Sequence, residues 1–468
     1  MRRERIQIIW RSLAGERTRR AGATAIATIL AQSVGKLSAF ISVPLTLSYL
    51  GPEQYGLWLT VSSMIGWLSL ADLGLGCGLL TRLAAAYGTR NVVLQRQLVT
   101  STLAAQAAIA ILLIAVCAAL FPFLNWQRLF NVTNPDTVVI LPAIIVIVFV
   151  AFILQFVFSV TTQVYRALQE GYTVQGWSTI ASVCGLIAIV LITKVHGGVT
   201  VLVATLAGAP AMALVGNTIW MYARGKPHLR PRVVDISWRA IKSVAGLGIQ
   251  YSGLALCAVA VSQTPNVIIA QYFGLAQVAP YGVAMKLYAL AQAAGIAMLA
   301  PLWPAYTEAI VSADHTWIRR THVRMVWTNA LMWGAFGVMF VLGGPLGIRL
   351  WVGPGVTSSR ALLAGIALQG FFAAEAMVYT TLLNGAGVVR QQFAVVVTPA
   401  VMTVALMLVM GARWGSEGIV WAGAAGTGVT LLLLWRVTPV LTGGLLATRT
   451  NRAVGAESQI ETPSPYSS

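Results

Sequence analysis

Residues 98–124 read LVTSTLAAQAAIAILLIAVCAALFPFL and residues 137–165 read TVVILPAIIVIVFVAFILQFVFSVTTQVY, with no Asp, Glu, Lys or Arg in either run. Each is longer than the ~20 apolar residues that carry a helix across about 30 Å of hydrocarbon. Between them, residues 125–136 hold one cation, Arg128, while Arg82, Arg90 and Arg96 precede the first run and Arg166 follows the second. The two runs predict a membrane hairpin whose turn lies on the side poor in positive charge.

The same alternation extends along the whole chain. It predicts spans at about 22–50, 55–80, 98–124, 137–165, 176–193, 200–223, 243–272, 278–310, 325–345, 361–386, 392–410 and 418–435. Only 9% of residues are charged and 57% are hydrophobic, against about 25% charged in a soluble domain, so the polar surface is too small to coat a water-soluble particle. With the N-terminus taken as cytoplasmic, all but seven of the 31 Lys and Arg residues fall on that side. Arg128, Lys194, Arg349, Arg360 and Arg413 fall on the other, and Lys36 and Lys286 lie inside spans. The expected molecule is an all-α polytopic membrane protein with about twelve transmembrane helices and both termini in the cytoplasm.

This distribution accounts for the net charge of +18 without nucleic acid. The cationic side faces anionic membrane lipids, most densely at Arg2, Arg3, Arg5, Arg11, Arg17, Arg19 and Arg20. Ile6, Ile9, Trp10 and Leu13 recur there at helical spacing, so residues 1–21 read either as an amphipathic surface helix or as a disordered topogenic tail. The first span reads as an uncleaved anchor. Cys77, Cys117, Cys184 and Cys257 sit in separate apolar runs, and the four histidines lie in or beside loops, which argues against a metal centre or a disulfide framework. No P-loop motif occurs and no cofactor is implied. The gaps on the side opposite the basic one are short and carry or border only Glu53, Asp136 and Glu417, so catalysis is not expected. Asn131-Val132-Thr133 matches a glycosylation triplet of a kind frequent by chance.

Internal duplication is visible at Tyr49-Leu50-Gly51-Pro52-Glu53-Gln54-Tyr55-Gly56, echoed by Tyr272-Phe273-Gly274 and Tyr281-Gly282 close to half the chain away. Such repeats are common among secondary transporters. They divide the chain into a basic segment 1–21, a six-helix lobe 22–223, a linker 224–242, a second six-helix lobe 243–435 and a disordered tail 436–468.

Tyr49 to Trp58, followed by Leu70-Ala71-Asp72-Leu73-Gly74-Leu75-Gly76 and Gly78, resembles the polysaccharide-biosynthesis branch of the multidrug/oligosaccharidyl-lipid/polysaccharide (MOP) exporter superfamily, the Wzx-like flippases. The resemblance implies a V-shaped pair of six-helix lobes, as in MATE-like exporters, set in the bacterial inner membrane. It implies a protein that moves an undecaprenyl-pyrophosphate-linked oligosaccharide between leaflets. A polysaccharide polymerase and a chain-length regulator are the further partners it suggests. A cation-coupled exporter of small molecules is the alternative within the superfamily, and Lys36 in the first span argues against it.

Gly74 and Gly78 form a small-x-x-x-small pair, read first as close helix packing, and Pro44 and Pro265 are read as kinks. Ionisable groups inside spans each cost several kcal/mol unless paired or wetted, which singles out Lys36, Asp72, Lys286 and Glu375. Gln32, Ser33 and Lys36 share one helix face, and Ser262, Gln263 and Asn266 form a second polar face beside Pro265, so both stripes are expected to line a cavity. Lys36 and Asp72 lie roughly 22 and 25 Å below the outer linker and could pair across the hairpin, whereas Lys286 lies only about 12 Å deep. Either the staggered lysines pass a pyrophosphate across the membrane, or Lys36 neutralises Asp72 and Lys286 snorkels. Glu375 reads as a coupling-ion site or as a protonated packing residue.

Overall fold

The computed structural model describes residues 2–168, 170–299, 302–312, 314–386 and 388–460, with side chains between 30 and 439 apart from Gln32 and a few others. Helices α1 (Arg2–Leu68), α2 (Leu75–Gly88), α3 (Val92–Leu120), α4 (Trp126–Leu129), α5 (Pro135–Ala167), α6 (Gly171–Val195) and α7 (Val199–Trp220) are followed by a linker of short turns. Then come α8 (Trp238–Phe273), α9 (Val278–Leu299), α10 (Leu302–Val311), α11 (His315–Val352), α12 (Arg360–Ala386) and α13 (Val389–Ile460), with no strand among the described residues.

Nine stretches among the described residues are long and apolar enough to cross a membrane. Two of them, Ser33–Asp72 and Gln391–Pro439, contain a hairpin each, because the backbone leaves helical angles at Gly51 and at Trp414–Gly415. Counting those hairpins as pairs, and adding α9 with α10, accounts for the twelve expected spans. The protein is a multi-pass membrane protein.

The turns show the duplication in the backbone. Gly51, Gly198, Gly274, Gly353 and Gly415 all have positive φ, as does Asn131, and each lies where an odd-numbered span passes to the next even one. Gly51 pairs with Gly274, Asn131 with Gly353 and Gly198 with Gly415, each pair close to half the chain apart. Left-handed angles favour glycine or asparagine, so these turn residues follow from backbone geometry.

The chain forms two compact units, one of residues 1–259, 269–279 and 351–356, the other of 260–268, 280–350 and 357–468. The expected lobes, 22–223 and 243–435, differ from these in that residues 243–259, 269–279 and 351–356 cluster with α1–α7. Gly74 and Gly78 explain the first of these: a Cβ on either would lie about 2 Å from the carbonyl oxygen of Gly248 or Val244, so α8 packs backbone to backbone on this segment. Beneath that contact lies a buried cluster of Leu75, Leu79, Leu83, Leu98, Val164 and Met221. In the second unit, Gly365, Gly411 and Gly418 admit Val420, Ile419 and the Met410 carbonyl in the same way, drawing α12 and the two arms of α13 together. Helix α13 runs to Ile460, past residue 436 where the tail is expected to begin. The amphipathic face suggested for residues 1–21 lies outside the described side chains.

The linker is fastened to the first unit by charge. Arg96 on α3 holds Asp235 at 2.6 Å, and Lys226 holds Glu170 at 2.8 Å. The Asn131 side-chain amide donates to the Ala270 and Gln271 carbonyls at the end of α8, which gives the glycosylation triplet a structural role.

Candidate functional site

The second span is not one continuous helix. After Leu68 the chain makes a 3-10 turn over Ser69–Asp72, then Leu73 and Gly74 take left-handed angles and α2 starts at Leu75. A break inside a membrane frees backbone groups that must find partners. Asp72 supplies one, since its Oδ2 accepts the Gly76 N–H at 3.1 Å in the first turn of α2, where the helix dipole also favours a carboxylate.

The other carboxylate oxygen is taken by Gln106 of α3, whose Nε2 donates to Asp72 Oδ1 at 2.5 Å and to Ser159 Oγ of α5 at 3.4 Å. Gln106 is fully buried, and its Oε1 has no hydrogen-bond partner among the described residues. Gln163 of α5 closes over Gly76, where a Cβ would meet Gln163 Nε2 at 3.1 Å. Asp72 is therefore a helix-break carboxylate held by amides.

The ion pair expected between Lys36 and Asp72 is not formed. Among the described residues Asp72 is engaged by Gln106 and Gly76, and Lys36 makes no ion pair. Lys36 is half-buried on α1. Its neighbours Gly35 and Ser38 line a cleft of about 220 Å³ with Ser42 on the same helix, Ser178 and Ser182 on α6 and Thr205 on α7. Ser33 is exposed on α1, and the side chain of Gln32 is outside the described residues. The cleft's hydroxyls are groups suited to polyols, and Lys36 itself is not among the residues that line it.

The second unit carries a different polar centre. Glu375 of α12 is 4% exposed, and its Oε1 accepts from Asn329 of α11, itself fully buried, at 2.9 Å. One turn along, Tyr379 packs edge-on against His322, with ring centroids 4.9 Å apart. On another face Tyr288 of α9 lies 5.5–5.7 Å from Trp333, Phe336 and Phe340, beside a gap left by Gly370. Lys286 is half-buried on α9 in this unit, as are Gln263 and Asn266 on α8.

The candidates thus divide between the units: Ser33, Lys36 and Asp72 belong to the first, and Gln263, Asn266, Lys286 and Glu375 to the second. Gln106 and Asn329, the partners of the two buried carboxyls, were not singled out by sequence. Each is one amide in an apolar run, and nothing in local spacing ties it to an acid on another helix.

The profile of a family described as polysaccharide biosynthesis protein matches residues 21–309. In fold the chain is similar to an inward-facing multidrug resistance MATE family transporter of the MOP superfamily, with a TM-score of 0.72 at 14% identity over 90% of this chain and 99% of that one. An outward-facing conformation of such a transporter gives 0.64 at 14% identity over 91% and 96%. A MOP superfamily transporter from Pyrococcus furiosus, described as having a binding pocket of reverse polarity, gives 0.63 at 13% identity over 92% and 96%. At such identities the likeness establishes the fold alone. No curated protein matches the chain.

Proposed function

Since the chain belongs to the polysaccharide biosynthesis protein family and has the fold of MOP-superfamily transporters, we propose that it is a flippase for an undecaprenyl-pyrophosphate-linked oligosaccharide. It works in the bacterial inner membrane with both termini in the cytoplasm, serving surface polysaccharide assembly by alternating access. The family match over residues 21–309 is the observation that carries this reading.

The chemistry of the first unit supports it. A cation within a span costs about 2.5–3.5 kcal/mol at the bilayer centre unless it meets water or an anion, and Lys36 has no carboxylate partner among the described residues. A pyrophosphate supplies the missing anion, and the hydroxyls of Ser38, Ser42, Ser178 and Ser182 suit the adjoining sugar. Lys286 is the second cation on the path, and Gln263 and Asn266 contribute polar contacts. Glu375 is the site that couples transport to an ion.

The test is complementation of a strain lacking its own flippase, with surface polysaccharide and the inner-leaflet lipid-linked precursor both measured. Restored polysaccharide with cleared precursor is the expected result. Precursor that stays on the inner leaflet, together with increased resistance to cationic drugs, would instead make the protein a small-molecule exporter.

A further inference from the structure

The second unit contains a cavity of about 610 Å³, inside the range of about 300–1,000 Å³ typical of ligand pockets, that none of the transport residues lines. One wall is the start of α11. His315, Arg319, His322 and Val326 fall at i, i+4, i+7 and i+11 and so share a face, and all four line the cavity. The opposite walls are Tyr379 and Leu382 of α12 and Trp435 of α13.

The lining changes character with depth. His315 and Arg319, both exposed, stand at one end; Val326 and Trp327 stand at the other, about 18 Å along the helix axis. Trp327 is 73% exposed and Trp435 56% exposed, so the apolar end is open to the outside. Arg320 and Arg324, also exposed, mark the same end of α11 as basic. A soluble anion would use the arginine and leave the aromatic end empty, and a neutral hydrocarbon would do the reverse. A molecule with one anionic head and an attached chain uses both.

We propose that this cavity binds one anionic phospholipid, with its phosphodiester on Arg319 and His315 and the start of an acyl chain between Trp327, Val326 and Trp435. Charge selects the occupant. Among the described lining residues Arg319 is the one permanently charged group, which matches the single charge of a phosphodiester better than a doubly charged pyrophosphate. The guanidinium fork also fits two phosphate oxygens at once. The site is separate from the proposed transport path, so it stands or falls independently of the flippase reading.

The experiment uses the full-length protein in detergent, titrated with phosphatidylglycerol or phosphatidylcholine of the same chains, with retained lipid counted by native mass spectrometry and Tm followed in parallel. One phosphatidylglycerol should be retained about five-fold more tightly than phosphatidylcholine, the factor expected of one basic residue at a membrane surface, and should raise Tm more. Arg319→Gln should erase the preference, Val326→Trp should expel both lipids, and Arg90→Gln, far along the chain in the other unit, should change neither. Equal retention of the two lipids by the unaltered protein, or an undiminished preference in Arg319→Gln, would overturn the proposal. Displacement by millimolar inorganic phosphate with no lipid retained would overturn it in favour of a free-anion site. If Arg319→Gln fails to fold, the comparison of the two lipids on the unaltered protein still decides.

Discussion

Asp72 and Gln106 are joined by a 2.5 Å hydrogen bond between the break in the second span and the middle of α3, and this bond fixes the only carboxylate placed at that break. Removing either partner leaves a desolvated polar group, at a cost of about 1–3 kcal/mol. Asp72→Ala and Gln106→Leu should each lower the Tm of the purified protein, and the double variant should fall less than the two losses combined, with a coupling of about 0.5–3 kcal/mol. Because Lys36 does not contact Asp72, Lys36→Ala and Asp72→Ala should be additive in the same assay. Coupling in the second cycle and none in the first would reverse the assignment of partners.

Gly74 and Gly248 touch through their backbones, with a Cβ on either projected 2.1–2.3 Å from the other's carbonyl oxygen, and Gly74 also has φ of 72°. Gly74→Ala combines left-handed strain of about 1–2 kcal/mol with overpacking of about 1–3 kcal/mol. It should reduce folded yield more than Gly248→Ala, which meets the overpacking alone. Gly246→Ala, with nothing within 4 Å, should be neutral or stabilising. Equal yields for all three would mean that α2 and α8 do not pack this way.

These glycines also show how far the sequence could be read. Their spacing signals close packing, and the structure bears that out against Val244 and Gly248. The same residues give no hint that Gly74 is left-handed, because a helix-packing glycine and a helix-breaking one look alike until φ is known. Span positions were legible because apolar length is a property of each segment alone. The Asp72–Gln106 and Glu375–Asn329 bonds were not, since they join residues on different helices, 34 and 46 positions apart, with no periodic signal between them. The turn glycines were half legible: Gly51 and Gly274 stood in a visible repeat, whereas Gly198 and Gly415 match only in backbone angle.

The linker should respond to acid. Partial desolvation of the largely exposed His228, and after it the Lys226 ammonium, lowers its pKa from the ordinary 6.5. The folded linker therefore favours the neutral imidazole, while the unfolded linker takes up its proton near 6.5. The stability this contributes is full above 6.5 and is lost as pH falls through the lowered folded value. Amide exchange over residues 226–232, corrected for intrinsic rate, should speed up between pH 7.5 and pH 5. His228→Gln should flatten that dependence, and a flat profile in the unaltered protein would remove His228 from the linker's stability.

Arg96 and Asp235 tie the same linker to α3 with both side chains largely buried. Losing one partner of such a pair strands the other charge, and because the pair keeps some solvent contact the cost is about 2 kcal/mol, below the range of about 3–5 for fully buried pairs. Arg96→Ala and Asp235→Ala should each make the linker cleavable by trypsin or chymotrypsin under native conditions, whereas Arg232→Ala should not. Unchanged proteolysis in both pair variants would show that the linker is held elsewhere.

Glu375 is the residue at which packing and ion coupling can be separated. Its carboxyl is buried and accepts one hydrogen bond from Asn329, so Glu375→Gln keeps an acceptor oxygen and nearly the same volume while removing the exchangeable proton. Asn329→Leu does the opposite: it keeps the carboxyl but withdraws its donor, at about 1–3 kcal/mol. A packing role predicts that Glu375→Gln is silent and Asn329→Leu lowers protein abundance. The coupling role proposed here predicts wild-type abundance for Glu375→Gln, with uptake of lipid-linked precursor into inverted vesicles that no longer responds to an imposed proton or sodium gradient. Vesicles carrying Glu375→Gln that still accelerate under either gradient would confine Glu375 to structure and place the coupling site among other residues.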